Sequence, residues 1–358
     1  MKNGESAQEQ FETIRDFQLN METTAPLRHF SVISLRPYPQ LMKTIFRLLI
    51  SAILIAVLLV TVDLGEVSRL FGRTNLLLFF MACLWAFIDR FIMIYRWALL
   101  LDTNEAKVSL YRIGQIHFVS SFLGNFIPLS MAPDVLRAYS ISKHTGNFIQ
   151  PFSSTMIDRL LGLLSLSIIA FGALWGSMIV NPSFIGPSVS YSIIGGVLVL
   201  GISLLLMWNR ALVDKLLALF PWTSRSKIFG KIMEVYTGCL AYKNHKWTVI
   251  KVLGLCFINQ IGAIVMTYVI ALALHVDVSI MYFFLFVPMI SFLNNLPASF
   301  NGVGVYEVGT VYLFSVAGVS MPEALAMALL SRLATMIATL PGGMIYAVNG
   351  IALRKLPA

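Results

Sequence analysis

Charged side chains are scarce in this chain. Asp, Glu, Lys and Arg make up 12% of its 358 residues, whereas hydrophobic residues make up 58%, and the mean hydropathy is +0.80. About a quarter of the residues in soluble domains are charged, so this composition excludes an ordinary soluble protein. Several windows reach the roughly 20 apolar residues of a membrane-spanning helix. Because a bilayer core has no water to satisfy backbone polar groups, we predict an all-α polytopic membrane protein.

The patterns of a catalytic or metal-binding site are also missing. The three cysteines, Cys83, Cys239 and Cys256, lack the spacing of metal ligands, and we expect them to be buried free thiols. The sequence contains no nucleotide-binding glycine loop and no nucleophile with a plausible base. We therefore predict that the protein is not an enzyme and has no cofactor or metal. Its partners would be membrane lipids and not nucleic acid.

Nine apolar segments organise the chain. They fall at about 45–62, 76–101, 113–133, 154–180, 189–208, 248–274, 280–300, 303–318 and 323–350. The predicted domains are a polar N-terminal tail, residues 1–40, and one membrane domain, residues 41–353. No cleavable signal peptide is expected before the first segment, because no small-residue cleavage site follows an apolar core there.

The connection 209–247 is the most basic part of the chain, which accounts for much of the net charge of +9. By the positive-inside rule it is cytoplasmic, and its apolar residues at helical spacing indicate amphipathic helices on the membrane surface or a solvated loop. Basic residues at Arg36, Lys43 and Arg47 and at Arg354 and Lys355 place both termini in the cytoplasm as well. Segment 113–133 then begins and ends on the same side and must be a re-entrant hairpin that turns near Asn125–Pro133. Segments 280–300 and 303–318 form a second hairpin from the opposite face, which breaks at Asn294–Gly304; the competing topology of two full spans is disfavoured because 303–318 is too short to cross the membrane comfortably. The prediction is six full spans and two oppositely oriented hairpins.

One pattern occurs twice and supports this inverted repeat. The first copy has Ser121-Phe122-Leu123-Gly124-Asn125, then Asp134 and Arg159; the second has Ser291-Phe292-Leu293-Asn294-Asn295, then Glu307 and Arg332. In each copy 25 residues separate the acid from the arginine. Duplicated, interrupted segments are typical of a transport site between two repeats. We assign repeat 1 to about 113–180 and repeat 2 to about 280–350, with the two breaks lining a shared cavity.

Ionisable side chains inside apolar segments are functional candidates by default, because burying them is costly. Arg159 and Arg332 either bind a lipid phosphate or only lock the repeats together through Asp134 and Glu307. The full set of predicted substrate-binding residues is Arg159, Arg332, Asp134, Glu307, Asp158, Arg137, Asn125, Asn294, Asn295, Gly302 and Gly304. The two glycines would allow a sharp turn and leave N–H groups of the next helix free for an anion.

Four other polar residues receive structural interpretations. Asp89 and Arg90 would serve packing or local electrostatics, since adjacent residues do not share a helix face. Arg96 would extend to the membrane surface from the end of its helix. His117 is expected to be hydrogen-bonded, with proton coupling as the alternative.

The chain resembles a known membrane domain. The specific runs are Asp158-Arg159-Leu160-Leu161-Gly162-Leu163 and Gly302-Val303-Gly304-Val305-Tyr306-Glu307, beside Phe122 to Pro128 and Asp134 to Arg137. They are similar to the flippase-like membrane domain of bacterial lysylphosphatidylglycerol synthases, and the resemblance covers roughly residues 40–350. It implies a bacterial cytoplasmic-membrane protein that moves an anionic, aminoacylated or glycosylated lipid between leaflets. The resemblance does not imply lipid synthesis, because it covers only the membrane domain of the synthases and not their soluble aminoacyl-transfer domain.

Three functions therefore remain open from the sequence. The first is a flippase for a phospholipid or lipid-linked precursor. The second is a non-transporting membrane subunit that docks a glycosyl- or aminoacyl-transferase through residues 209–247. The third is an intramembrane transferase with Asp134, Asp158 or Glu307 as its base.

Overall fold

The computed structural model describes residues 38–103, 108–127, 131–180, 227–295 and 302–349, with a few isolated residues between 194 and 209. Two compact units are distinguished, Met1–Phe46 and Arg47–Ala358. In the first unit only the helical backbone from Tyr38 onward is described. Every side chain discussed below belongs to the second unit.

The described part of the chain is helical and contains no strand, which confirms the all-α prediction. In order, the helices are α1 (Tyr38–Thr61), α2 (Leu64–Arg73), α3 (Leu76–Asp102), α4 (Leu110–Gly124), α5 (Ala132–Thr145), α6 (Ile149–Val180), α7 (Lys227–Ala241), α8 (Lys246–Ala273), α9 (Ile280–Asn295), α10 (Val305–Val316), α11 (Met321–Ile337) and α12 (Leu340–Asn349).

Among the described residues, four helical stretches are long and apolar enough to cross a membrane: α3, Ile149–Ser177 of α6, α8, and Met321–Val348, which joins α11 to α12. The pair Leu48–Thr61 and Leu64–Arg73 is bent by 83° and makes a fifth if it counts as one span. Segment 189–208 lies outside the described residues. The structure therefore supports four or five spans, and the count of six stays a prediction.

The bend between α1 and α2 has a local cause that the apolar pattern did not reveal. Asp63 interrupts the helix, and its Oδ1 accepts hydrogen bonds from the N–H groups of Gly65 and Glu66 at 2.8 and 3.2 Å. This is an N-cap, which satisfies donors that a new helix would otherwise leave free. The chain therefore starts a second helix after Val62, where the sequence predicted only the end of an apolar segment.

Small residues and aromatic rings pack the interior. Gly262 on α8 faces Trp85 on α3, and a Cβ added at Gly262 would lie 1.7 Å from the Trp85 ring. The two helices therefore approach as closely as they do because position 262 has no side chain, a common solution in membrane helices. Elsewhere, Phe314 of α10 packs between Phe283 and Phe286 of α9, with ring centroids 4.9 and 5.4 Å away.

Both predicted helix breaks are present. Helix α4 ends at Gly124 and α5 begins at Ala132, while α9 ends at Asn295 and α10 begins at Val305. Gly124 packs directly against Pro133, since a Cβ added there would lie 2.3 Å from the proline ring. At 12 residues, α10 is too short to cross a bilayer by itself. The positions of the breaks are thus confirmed, whereas their depth and orientation in a membrane remain predictions.

The described part of the basic connection includes helix α7, a 3₁₀ turn at Tyr242–Asn244 and the start of α8, and α7 packs on the beginning of α6. Gly238 lies against Ser153, and the Ser153 hydroxyl donates to the Val235 carbonyl at 3.1 Å. Cys239, in the same contact, is buried. At least this part of the connection is therefore attached to the helix bundle, while residues 210–226 lie outside the described ranges.

Candidate functional site

A polar cavity of about 430 Å³ lies between the two copies of the duplicated pattern. Arg159, Asp134 and Asn125 from the first copy line it together with Arg332 and Asn294 from the second. The charged side chains on its wall are Arg90, Arg96, Arg137, Arg159, Arg332, Asp134 and Asp158. The structure thus joins, in one cavity, residues that lie far apart in the sequence, as the shared-cavity prediction requires.

The acid and arginine of the first copy form the predicted ion pair. Arg159 on α6 donates to Asp134 Oδ2 at 2.8 Å, and Asp134 occupies the first turn of α5. A carboxylate near a helix N-terminus is favoured by the helix dipole. Asp134 also pairs with Arg137 at 3.1 Å. Asp134 therefore has two guanidinium partners, one on its own helix and one on α6.

The second copy forms the equivalent pair. Arg332 on α11 donates through Nε to Glu307 Oε1 at 2.6 Å, and its Nη2 donates to the Gly302 carbonyl at 3.3 Å. The Tyr306 ring lies under the same guanidinium, with its centroid 5.4 Å from Cζ. Both acid–arginine pairs that the 25-residue spacing suggested are thus present. Glu307 itself is buried and does not line the cavity.

The two glycines hold the turn before α10. Gly302 and Gly304 adopt φ values of +73° and +88°, which residues with side chains rarely adopt. A Cβ at Gly302 would lie 1.6 Å from Oδ1 of Asn294, so the missing side chain leaves room for that amide. The Gly304 N–H donates to Glu307 Oε2 at 2.7 Å. The Gly304 N–H is therefore bound by the carboxylate in the first turn of α10, while the expectation that the N–H groups of Val305–Glu307 are free for an anion stays a prediction.

Asp158 is the centre of a buried network that joins four helices, α3, α5, α6 and α8. Arg96 of α3 donates to Asp158 Oδ2 at 3.1 Å, and Arg137 donates to the same oxygen at 3.3 Å. The Nη1 atom of Arg96 donates to Asn259 Oδ1 on α8 at 3.1 Å. The Asn259 amide in turn donates to Asp89. Such pairing compensates for several kcal/mol of desolvation per buried ion.

The network corrects the interpretation of Arg96. Arg96 is only 6% exposed and is ion-paired with Asp158. The prediction that its side chain extends to the membrane surface is therefore wrong. The error arose because no local pattern connects Arg96 with Asp158, 62 positions away. Asp89 does serve local electrostatics, as predicted, through Arg90 at 3.4 Å and Asn259.

Asn125 links the first break to the end of the second repeat. Its Nδ2 donates to the Thr339 hydroxyl at 3.0 Å, and Thr339 lies in the interruption between α11 and α12. Asn125 therefore connects the two broken helical segments by a hydrogen bond. The side chain of Asn295 lies outside the described residues.

Several cavity residues were not predicted as site residues from the sequence. These are Arg90, Met93, Arg96, His117, Ser120, Ser121, Pro133, Gly162, Leu163, Gln260, Thr335 and Thr339. His117 was expected to be hydrogen-bonded, but neither ring nitrogen has a hydrogen-bond partner among the described residues. Arg90 and Arg96 could have been included because any arginine in an apolar segment is a functional candidate. The serines and threonines carry no such signal.

Comparison with known proteins identifies the family. No curated protein matches this chain. The family described as the lysylphosphatidylglycerol synthase TM region matches residues 44–343, which include α2 to α11, most of α1 and the first four residues of α12. That match covers most of the chain and includes both acid–arginine pairs. The chain therefore belongs to the family of lysylphosphatidylglycerol synthase transmembrane regions.

Proposed function

We propose that this protein is a lipid transporter that moves an anionic, aminoacylated or glycosylated phospholipid, or a lipid-linked precursor, between the leaflets of the bacterial cytoplasmic membrane. The observation that carries the proposal is the arginine-rich cavity between the two copies of the duplicated pattern. A purely structural contact between repeats needs matched charges but no open polar volume. Membership of the lysylphosphatidylglycerol synthase TM family supports a role in lipid modification or transport within a membrane.

In the proposed mechanism, Arg159 and Arg332 bind the headgroup phosphate in turn. Arginine suits this role because its planar guanidinium stays charged when buried and matches the geometry of phosphate oxygens. Asp134 and Glu307 hold the two arginines when no phosphate is bound, at the distances seen here. The acyl chains stay in the surrounding lipid, so only the headgroup has to be desolvated.

The architecture that fits this mechanism is an inverted repeat with two re-entrant hairpins. Non-helical backbone at membrane depth is tolerated where it lines protein or a water-filled cavity. Two breaks that meet at one cavity and enter from opposite faces would let each repeat open the site to one leaflet. Both termini and the basic connection would lie in the cytoplasm.

Transport can be tested with the purified full chain in vesicles that contain a fluorescent phosphatidylglycerol. A membrane-impermeant reductant bleaches the outer leaflet, and protein-dependent transport raises the bleached fraction above one half. Two paired variants, Asp134→Asn with Arg159→Gln and Glu307→Gln with Arg332→Gln, remove each ion pair without leaving a lone charge. The control is Arg73→Gln, an exposed arginine at the end of α2.

We expect wild type and control to transport lipid and both paired variants to lose transport while they remain folded. Transport at the wild-type rate by both paired variants would make the arginines structural locks. No transport by any folded protein would refute the proposal and favour the docking of a transferase through residues 209–247. A pull-down of that partner, lost when the basic charges of this connection are removed, would then identify it.

A further inference from the structure

Three side chains on the cavity wall carry polar nitrogens without partners. Within the described part of the chain, Arg90 Nε, Arg137 Nε and both ring nitrogens of His117 are buried and make no hydrogen bond. His117 is 3% and Arg137 4% exposed, while the Arg90 side chain is partly buried at 17%. A buried polar group without a partner is rare and costs about 1–3 kcal/mol. Three such side chains on one cavity, against one unpaired acceptor there, Asn294 Oδ1, indicate an occupant that mainly accepts hydrogen bonds.

The surrounding contacts explain why these nitrogens stay unpaired. The Nη2 atom of Arg137 pairs with Asp134 and Asp158 at 3.1 and 3.3 Å, and the guanidinium lies over the Trp97 ring at 4.9 Å. Arg90 pairs with its neighbour Asp89, also through Nη2. Ion pairs thus hold one side of each guanidinium and leave the Nε–H donors for something else. All three side chains line the same cavity.

The local charge indicates which occupant fits. The cavity and the ion pairs at its wall contain five arginines but only four carboxylates, namely Asp89, Asp134, Asp158 and Glu307. One positive charge is therefore uncompensated where unpaired charge is expensive. A single negative charge would balance it. A phosphodiester carries one negative charge, whereas a phosphate monoester carries about 1.5 to 2.

The other three arginines, Arg96, Arg159 and Arg332, are already ion-paired in this conformation. Arg159 and Arg332 are held by carboxylates at 2.8 and 2.6 Å. An arriving phosphate would have to displace Asp134 or Glu307 to reach them. A phosphate could reach the unpaired nitrogens of Arg90, Arg137 and His117 without displacing a carboxylate.

We propose that Arg90, Arg137 and His117 form the resting subsite for the phosphate of a phosphodiester lipid whose remaining headgroup is uncharged. The proposal rests on the lipid-transport function and makes it more specific. It assigns the first contact of the phosphate to these three donors, before exchange onto Arg159 or Arg332. It also makes His117 a ligand-binding residue.

Lipid binding by the detergent-purified full chain tests the subsite. Native mass spectrometry would follow titration with phosphatidylglycerol, phosphatidylcholine and inorganic phosphate. His117→Phe removes both nitrogens but keeps an aromatic ring, and Arg90→Lys keeps the charge but removes Nε–H. Arg112→Gln is the matched control, because Arg112 also has a buried, unpaired Nε but does not line the cavity.

We expect both subsite variants to bind phosphatidylglycerol roughly tenfold or more weakly than wild type, since hydrogen bonds to charged groups are lost. The Arg112 control should bind as wild type does. Phosphatidylcholine should bind more weakly than phosphatidylglycerol, because its choline adds a cation beside an already positive site. Inorganic phosphate should compete poorly; strong competition would identify a free anion as the occupant and overturn the lipid assignment.

Unchanged affinity in either folded subsite variant would also overturn the proposal. Vesicle transport separates this failure from that of the general function. If wild type and His117→Phe transport lipid equally fast and bind it equally well, the subsite is wrong and transport stands. If wild type does not transport lipid but binds it in a way that depends on His117, the subsite stands and transport fails.

Discussion

The ion pair between Glu307 and Arg332 predicts an unequal response to removing either partner. Arg332→Gln leaves the Glu307 carboxylate with the Gly304 N–H as its recorded partner. Glu307→Gln leaves Arg332 with the Gly302 carbonyl and the Tyr306 ring. The side chain of Glu307 is 7% exposed and that of Arg332 23%. Leaving the Glu307 carboxylate unpaired should therefore cost more folding free energy than leaving the Arg332 guanidinium unpaired.

The magnitudes follow from the burial of each group. Breaking a buried ion pair by removing one partner costs about 3–5 kcal/mol, and we expect about 3 for Arg332→Gln because Glu307 keeps one hydrogen bond. For Glu307→Gln we expect about 1–2 kcal/mol, since the remaining guanidinium is partly hydrated and partly exposed pairs contribute less. The double variant has no lone charge and should cost about 1–2 kcal/mol, well below the sum of the single variants.

Unfolding of the purified protein in mixed detergent and SDS would measure these free energies. The expected order of stability is wild type, then Glu307→Gln together with the double variant, then Arg332→Gln. Arg159→Gln is the matched control in the first repeat and should cost less than Arg332→Gln, because Asp134 keeps Arg137 at 3.1 Å. Additive single effects, or a less stable Glu307→Gln than Arg332→Gln, would refute the reasoning.

Two further predictions concern packing and thiol chemistry. Gly342→Ala should destabilise the protein by about 1–3 kcal/mol, because the new Cβ would lie 2.0 Å from the Phe118 carbonyl oxygen. Thermal unfolding would check this against the control Gly172→Ala, whose new Cβ meets nothing within 4 Å. Equal unfolding midpoints of the two variants would contradict the prediction. Burial raises the pKa of the Cys239 thiol to about 11, so at pH 8 nearly all of it is the unreactive thiol and the thiolate grows only as pH rises toward that value. In a variant without the other two cysteines, maleimide at pH 8 should label Cys239 only after denaturation, and rapid labelling of the native protein would contradict its burial against α6.

Much of the candidate site could be predicted because its signals are local. Asp134 and Glu307 each follow a helix break marked by Asn and Pro, and each is 25 positions before an arginine. An interval that recurs between two charged residues in apolar surroundings indicates a contact even without a fold. The pairs and the helix breaks were therefore recognisable in the sequence.

The contacts of Arg96 and His117 could not be predicted in this way. Arg96 meets Asp158 and Asn259 only because α3, α6 and α8 pack together, and these partners lie 62 and 163 positions away. His117 lacks hydrogen-bond partners among the described residues because the helices around it enclose a cavity. No local sequence pattern indicates the contacts of Arg96 or the unpaired nitrogens of His117, because helix packing determines which side chains face each other.

By itself, then, the sequence determined that the protein is helical and membrane-embedded, where its helices break, and which acid belongs with which arginine. Those properties depend on hydrophobicity, on breaker residues and on spacing along a single chain. Only the tertiary structure showed which side chains of the two pairs line the cavity, Asp134, Arg159 and Arg332 but not Glu307, and that among the described residues the five arginines of its wall meet four carboxylates. Charge balance and unpaired donors arise only when distant helices come together, because they are properties of an enclosed volume and not of a segment.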